Sequence, residues 1–256
     1  MQSRQVLAVP LVTLAFALCA GAAHAQVKPA MKPLADDELS GVWGQALIDL
    51  TNTSTSGYDF SRLTLNADIT MSTTLAGLKL GTQASGTSDI DFTTLNFGRS
   101  DLDDAHRTVA ITNPYFEWVY AGSAATGDRQ VVGMRVGFGG IAGDVGLAMN
   151  TVSGSLSLST PSSGQATALG SQQTALATAG GTIALNQIGG VTAGNSDGAS
   201  RDFFLSVLKS AVTWPATTGV GASATAQAGF WLNWTDRLAA LNTTGTVPPN
   251  VPKIGP

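Results

Sequence analysis

Along FSRLTLNADITMS, residues 60–72, apolar and polar residues alternate one for one. Leu63, Leu65, Ala67, Ile69 and Met71 fall to one side, and Thr64, Asn66, Asp68, Thr70 and Ser72 to the other. A strand sends successive side chains to opposite faces, so the pattern predicts a half-buried strand and excludes an amphipathic helix. Residues 75–80 and 90–97 continue the alternation, with GTQASGTS as the turn between them. TVAIT predicts another strand, after which Asn113-Pro114 breaks the pattern. YFEWVYA and RQVVGMRVGF flank the loop GSAATGD and read as a hairpin. In DVGLAMNTVSGSLSLST the apolar parity passes from Val145, Leu147 and Met149 to Val152, Leu156 and Leu158. That switch predicts a turn or bulge near Asn150 and Thr151. DFFLSVL and AGFWLNW complete the strand set.

Only 12% of the residues are charged, too few to solubilise the outer faces of many helices. Thr-rich faces alternating with Val, Ile, Leu and Phe suit strands. The expected fold is all-β, an antiparallel sandwich or flattened barrel of roughly 10–13 strands. It forms a single β domain over residues 34–242. LADDELSGVWGQ, with Asp36, Asp37 and Glu38 at its start, predicts a short helical turn near residues 35–43. Residues 160–200 are rich in Gly, Ala, Ser, Thr and Gln and read as a low-complexity mobile excursion in which only TIALNQI forms a strand. Residues 243–256 read as a Pro-rich tail.

The N-terminus carries Arg4, then VLAVPLVTLAFALCAGAA, then Ala23-His24-Ala25. Charge, apolar run and small-x-small site describe a signal peptide over residues 1–25, followed by a flexible lead-in, residues 26–33. Cleavage leaves 231 of 256 residues, and the net charge passes from −4 to −5 with the loss of Arg4. Cys19 leaves with the leader, so disulfides are excluded, and one histidine, His106, remains. A zinc site of His and Cys ligands is excluded with them. An acidic chain without a basic cluster is a poor nucleic-acid binder, and no apolar run after the leader is long enough for a transmembrane helix. Export places the chain at the cell surface, the outer membrane or outside the cell, with the periplasm also open.

VVGMRVGFGG carries Gly133, Gly137, Gly139 and Gly140. A phosphate loop needs such glycines between a strand and a helix, and no helix-competent segment follows. On a strand, Met134, Val136 and Phe138 project to one side and Gly133, Arg135, Gly137 and Gly139 to the other. A face of that kind lets another element approach closely, or leaves a groove. Glu117 shares it and, in a register centred on GSAATGD, lies diagonal to Arg135, a pairing that contributes roughly 0.2–1 kcal/mol. The candidate ligand or contact face is therefore Arg135, Glu117, Gly133, Gly137 and Gly139, with Trp231.

Trp231 and Trp234 stand three residues apart, on opposite strand faces, so at most one is free to stack on a flat ligand while the other packs inside. Trp43 and Trp118 read as packing anchors. Asp101, Asp103 and Asp104 resemble half a calcium loop but lack its glycine and closing glutamate, which favours a solvated turn. Asn195, Asp197 and Asp202 form a weaker version. His106 beside the acids is the one candidate base, and no Gly-x-Ser-x-Gly elbow accompanies it. The expectation is a non-enzyme with no cofactor and no metal.

In order along the chain, LADDELSGVWGQ, NPYFEWVYAGSAATGDRQVVGMRVGF, DFFLSVLKSAVTWP and AGFWLNWTD resemble segments of a family of exported proteobacterial proteins. That family includes components named for the Fil putative pilus system, and some members are labelled haem-utilisation proteins. The resemblance implies a cell-surface or pilus-associated role with a protein partner; haem fits badly with a single histidine. The expected function is that of a non-enzymatic exported surface protein acting by contact, as an adhesive or pilus-associated component. One alternative is a small-ligand-binding module in which Arg135 meets an anionic group. The other is an outer-membrane β-barrel.

Overall fold

The computed structural model describes residues 47–122, 127–217, 220 and 225–251. The leader, the lead-in, the helical turn near 35–43 and Trp43 lie outside them. Strand β1 (Ile48–Thr55) pairs with β2 (Tyr58–Leu65) across a two-residue turn, Ser56-Gly57. The alternating segment beyond it breaks at Asn66-Ala67, and β3 (Asp68–Met71) resumes it. Next come β4 (Thr73–Leu80), β5 (Ile90–Phe97) and β6 (Val109–Ala121). The chain then enters β7 (Gln130–Thr160), a strand of 31 residues. After it follow β8 (Gly164–Gln173), β9 (Ala175–Thr178), β10 (Gly181–Ala184) and β11 (Gly190–Ala193). The last strands are β12 (Phe204–Leu208), β13 (Val212–Thr213), β14 (Thr225–Ala226), β15 (Gly229–Trp234) and β16 (Leu238–Ala240).

The fold is all-β and dominated by antiparallel pairing, as the alternation predicts. Fourteen strands join one sheet, β13 and β14 form a separate pair, and the large sheet is not closed. Strand β7 organises it. Its first third lies between β6 and β12, its middle between β5 and β11, and its last third between β8 and the parallel neighbours β15 and β16. The register against β5 passes from Thr151 to Met149 and skips Asn150, which is the bulge the parity switch predicts. Val145, Leu147 and Met149 before it, and Val152, Leu156 and Leu158 after it, are all buried in one core.

Three sequence expectations change. Asn113-Pro114 does not end a strand: Asn113 takes a φ of 48° and β6 continues, with Pro114 opposite Phe138. Residues 160–200 are not an irregular excursion, since β8 to β11 lie there and Ala166, Leu176, Leu185 and Ile188 are completely buried. Small side chains let β8 and β11 pair closely with β7 and β9 with β8, so a segment poor in large residues still has anchors. The Pro-rich tail belongs to the domain as far as it is described. Pro248 is buried and its carbonyl accepts from Asn96 Nδ2 at 2.9 Å, while Asn250 Nδ2 donates to Phe97 O at 3.0 Å. A proline carbonyl keeps its acceptor, so a strap rich in proline can still be tied down.

Two cores lie on opposite faces of the β12–β15 pair. Leu232 and Trp234 enter the larger one, whereas Trp231 enters a smaller one with Phe60, Val119, Phe204, Leu208 and Trp214. Burial of Leu176 makes a direct test of the 160–200 segment. Leu176→Ala is expected to destabilise the chain by about 2–5 kcal/mol, read from the urea midpoint. A loss below about 0.5 kcal/mol, the ordinary range for an exposed site, would show that β9 carries no core.

Candidate functional site

Opposite residues of an antiparallel pair share a face. Arg62, Glu117, Arg135, Ser206 and Trp231 stand opposite one another across β2, β6, β7, β12 and β15, on the inner face of the sheet. Glu117 meets Arg135 directly and not diagonally: the pairing at Ala121–Gln130 already lies one residue off the loop centre, and the shift between Val119 and Tyr120 adds another. The Arg135 guanidinium donates from Nε to Glu117 Oε2, and Arg62 donates from Nε and Nη2 to the two oxygens of the same carboxylate at 3.2 and 3.3 Å. Both carboxylate oxygens are thus occupied by charge-assisted donors.

Arg135 is 1% exposed and Glu117 3%. The rest of the Arg135 surroundings is aromatic: its guanidinium carbon lies 4.4 Å from the Trp214 ring, 4.8 Å from Phe204 and 5.4 Å from Tyr115. Nη2 has no oxygen acceptor, and ring faces stand where one would be. Burial pulls the Arg135 pKa below its ordinary value, against the pull of Tyr115 and Glu117 in the other direction. Burial also raises Tyr115. Strand β6 supplies Tyr115 and Glu117 two residues apart on one face, β7 supplies Arg135, and the segment after β13 lays Trp214 across them. The arrangement is a clamp that fixes the β2–β6–β7 register.

The candidate face is brought together, but it is covered. A Cβ at Gly133 would strike Leu208 and the Val207 carbonyl, and one at Gly137 would strike Tyr115 and the Phe203 carbonyl. Gly139 is held close to Asn113. These glycines therefore serve close approach and leave no groove. Trp231 is 1% exposed and Trp234 3%, so neither is a surface platform. Trp118 is half-buried against Phe116, with ring centroids 4.5 Å apart.

The acidic turn is solvated and internally paired. Asp101 binds Arg99, Asp104 binds Arg107, and Asp103 accepts from Ala105 N and contacts His106 Nδ1 at 2.6 Å. Asp202 is a turn clamp, accepting from the main-chain N–H groups of Thr235 and Asp236 and from Asn233 Nδ2. Asn195 accepts from Asp197 N in a local turn. Among the described residues no three His, Cys, Asp or Glu side chains converge in a metal-binding group.

Sequence reasoning missed the partners Arg62, Tyr115, Phe204 and Trp214, and it reversed the burial of the first strands. One residue along from the inner row, Leu50, Leu63, Phe116, Val136 and Leu205 stand opposite one another on the outer face. Leu50 is 62% exposed and Val136 41%, while the buried face of β2 carries Phe60 and half-buried Arg62. The signal for the inversion was present: Arg62, Glu117 and Arg135 each sit in the polar parity of their strand, and opposite charges seek one another. No protein-family model, curated protein or solved structure matches the chain.

Removing the shared carboxylate strands two arginines. Glu117→Ala is expected to cost about 3–5 kcal/mol in a urea unfolding experiment, and a cost under 1 kcal/mol would show that the aromatic faces alone hold Arg135. Asp103 raises the pKa of exposed His106 above its ordinary value, chiefly by hydrogen bonding, and its own pKa is lowered by the same bond. The His106 contribution is full below its unfolded pKa and is lost as pH rises through the raised one. The Asp103 contribution is lost as pH falls through its depressed value. An NMR titration should place His106 above about 6.5, and Asp103→Asn should return it there; an unchanged titration in that variant would remove the pair.

Proposed function

We propose that the chain is an exported, non-enzymatic protein that acts by contact at the cell surface, an adhesive or pilus-associated component whose protein partner pairs with β1. The observation that carries this reading is the open edge. All eight residues of β1 are exposed, and β2 is its one strand neighbour among the described residues. Asn66 N donates to Leu47 O at 2.7 Å. In the antiparallel alternation Asp49, Thr51 and Thr53 then turn their main-chain groups to β2, and Ile48, Leu50, Asn52 and Ser54 turn theirs outward. Edges are ordinarily blunted by charge, proline or a bulge, yet IDLTNTST holds one carboxylate. A strand added there would gain main-chain hydrogen bonds and place apolar side chains beside Leu50 and Leu63. The predicted leader, the charge-poor surface and the resemblance to Fil-system components support the same reading.

A second reading, insertion in the outer membrane, is favoured by the apolar-out, charge-in rows of β2, β6, β7 and β12. The unclosed sheet weighs against it, because hydrocarbon does not tolerate open strand edges.

Asn52→Pro deletes an outward N–H on an edge strand and spares the main-chain β1–β2 ladder, a context that accepts proline. The tagged chain should fractionate with the outer membrane or the cell exterior and bring down a protein partner, and Asn52→Pro should lose that partner while keeping its circular dichroism. Recovery from soluble periplasm alone, with no partner, would overturn the contact reading. Extraction from membranes only by detergent would favour insertion.

A further inference from the structure

The outer apolar row ends at a cavity. About 70 Å³ is enclosed between the β4–β5 hairpin and strands β7, β12 and β15, and all fifteen residues lining it are apolar, Leu147, Leu205, Leu232 and Trp234 among them. Beside it, on the outer face, lies an open groove of about 150 Å³ that includes Met134, Val136, Leu205, Val207 and Phe230. Leu205 lines both. Arg135 and Ser206 also border the groove, but they stand opposite each other in the register with their side chains on the buried inner face, so the groove floor is apolar too.

Polarity returns at one end. Lys209 follows the last residue of β12, and its N–H still donates to Val132 O at 2.7 Å, so the alternation carries it to the side of Leu205 and Val207; it is exposed, with no ion pair among the described residues. Lys209 lies four residue steps beyond Leu205, about 13 Å at the strand rise. A cation, a bare apolar groove and an apolar cavity thus lie in line, a sequence that matches an anionic head on an unbranched hydrocarbon chain. An all-apolar cavity stays dry and accepts apolar guests, and a preformed pocket of this composition needs few polar groups to orient its ligand.

We propose that this track binds a single-chain amphiphile with a carboxylate-like head: the head at Lys209, the chain along Val207 and Val136, and the chain end past Leu205 in the cavity. This site is separate from the β1 edge, so either can fail without the other.

Trp234 lines the cavity and reports on it. Dodecanoate brominated at its terminal carbon should quench the purified chain saturably below the concentration at which the probe aggregates, and Trp234→Phe should remove most of the quenching. Lys209→Glu, at an exposed site that folding does not depend on, should weaken binding about five- to tenfold. Leu205→Phe should block the chain end and abolish the Trp234 signal. A dodecyl chain on a trimethylammonium head should bind more weakly than the carboxylate, with the order reversed in Lys209→Glu. Absence of saturable quenching, equal response to both heads, or quenching indifferent to Lys209→Glu would overturn the proposal. So would self-association that buries Val136 and Val207, which would make a second copy of the chain the occupant.

Discussion

One strand has to satisfy seven others. Strand β7 is hydrogen-bonded in turn to β5, β6, β8, β11, β12, β15 and β16, and no straight, regular ribbon could reach them all. It adapts by skipping Asn150 in its register and by carrying glycine where partners press hardest. At Gly154 a Cβ would collide with the Leu232 carbonyl, which is the price of a parallel neighbour against the last third of the strand. Strands β12 and β15 link the two ends: Val136 faces Leu205, Leu205 faces Leu232, and Leu232 faces Gly154. The early and late parts of β7 are therefore tied together through two short strands brought in from the far end of the sequence. Long-range closure of this kind is slow to form and hard to undo locally.

The Arg62–Glu117–Arg135 clamp matters because of where β7 begins. Between β6 and β7 the register is not centred on the connecting loop, and a two-residue slip would preserve the side-chain parity of every residue. Parity alone cannot choose between those registers. A buried carboxylate that must meet two arginines can, since only the observed register avoids leaving a charge without a counter-ion. The off-centre pairing at Ala121–Gln130 and the one-residue shift at Val119–Tyr120 together turn the diagonal pair expected from the loop into a directly opposed one.

The strands from Phe60 to Phe97, the β6–β7 hairpin, the segments of β12 and β15 and the bulge near Asn150 were legible in period and parity, whereas β1, Ile48–Thr55, was not read as a strand. The direction of burial was not. Leu63 and Ile69 read as inward because apolar residues are inward by default, but the rule runs one way only, and exposed leucines are common. The charges decided the matter here: with few ionisable groups in the chain, one strong buried pair sets which face of a strand is inside. The strands between 160 and 200 were hidden for a different reason. Ala166, Ala168 and Leu176 are 0%, 3% and 0% exposed, and alanine carries almost no periodic signal. The tail was misread because proline signals the absence of a strand, and absence of a strand is not absence of contact.

The inversion also bears on function. The chain has few charges, and it places Glu117, Arg135, Asp144 and Asp202 inside. Leu50, Leu63, Val136 and Val207 are then left on the surface, in rows and not scattered singly. Isolated exposed leucines need no explanation, whereas aligned ones form a patch, and larger exposed apolar patches mark sites of interaction. An open edge at one end of that row and a cavity with a lysine-tipped groove at the other give the two ends different chemistry. Main-chain hydrogen bonds can recruit a strand at β1 without reading its charge, while the Lys209 end discriminates by charge and chain shape. The two proposed contacts would thus use different chemistry on one face of the same sheet.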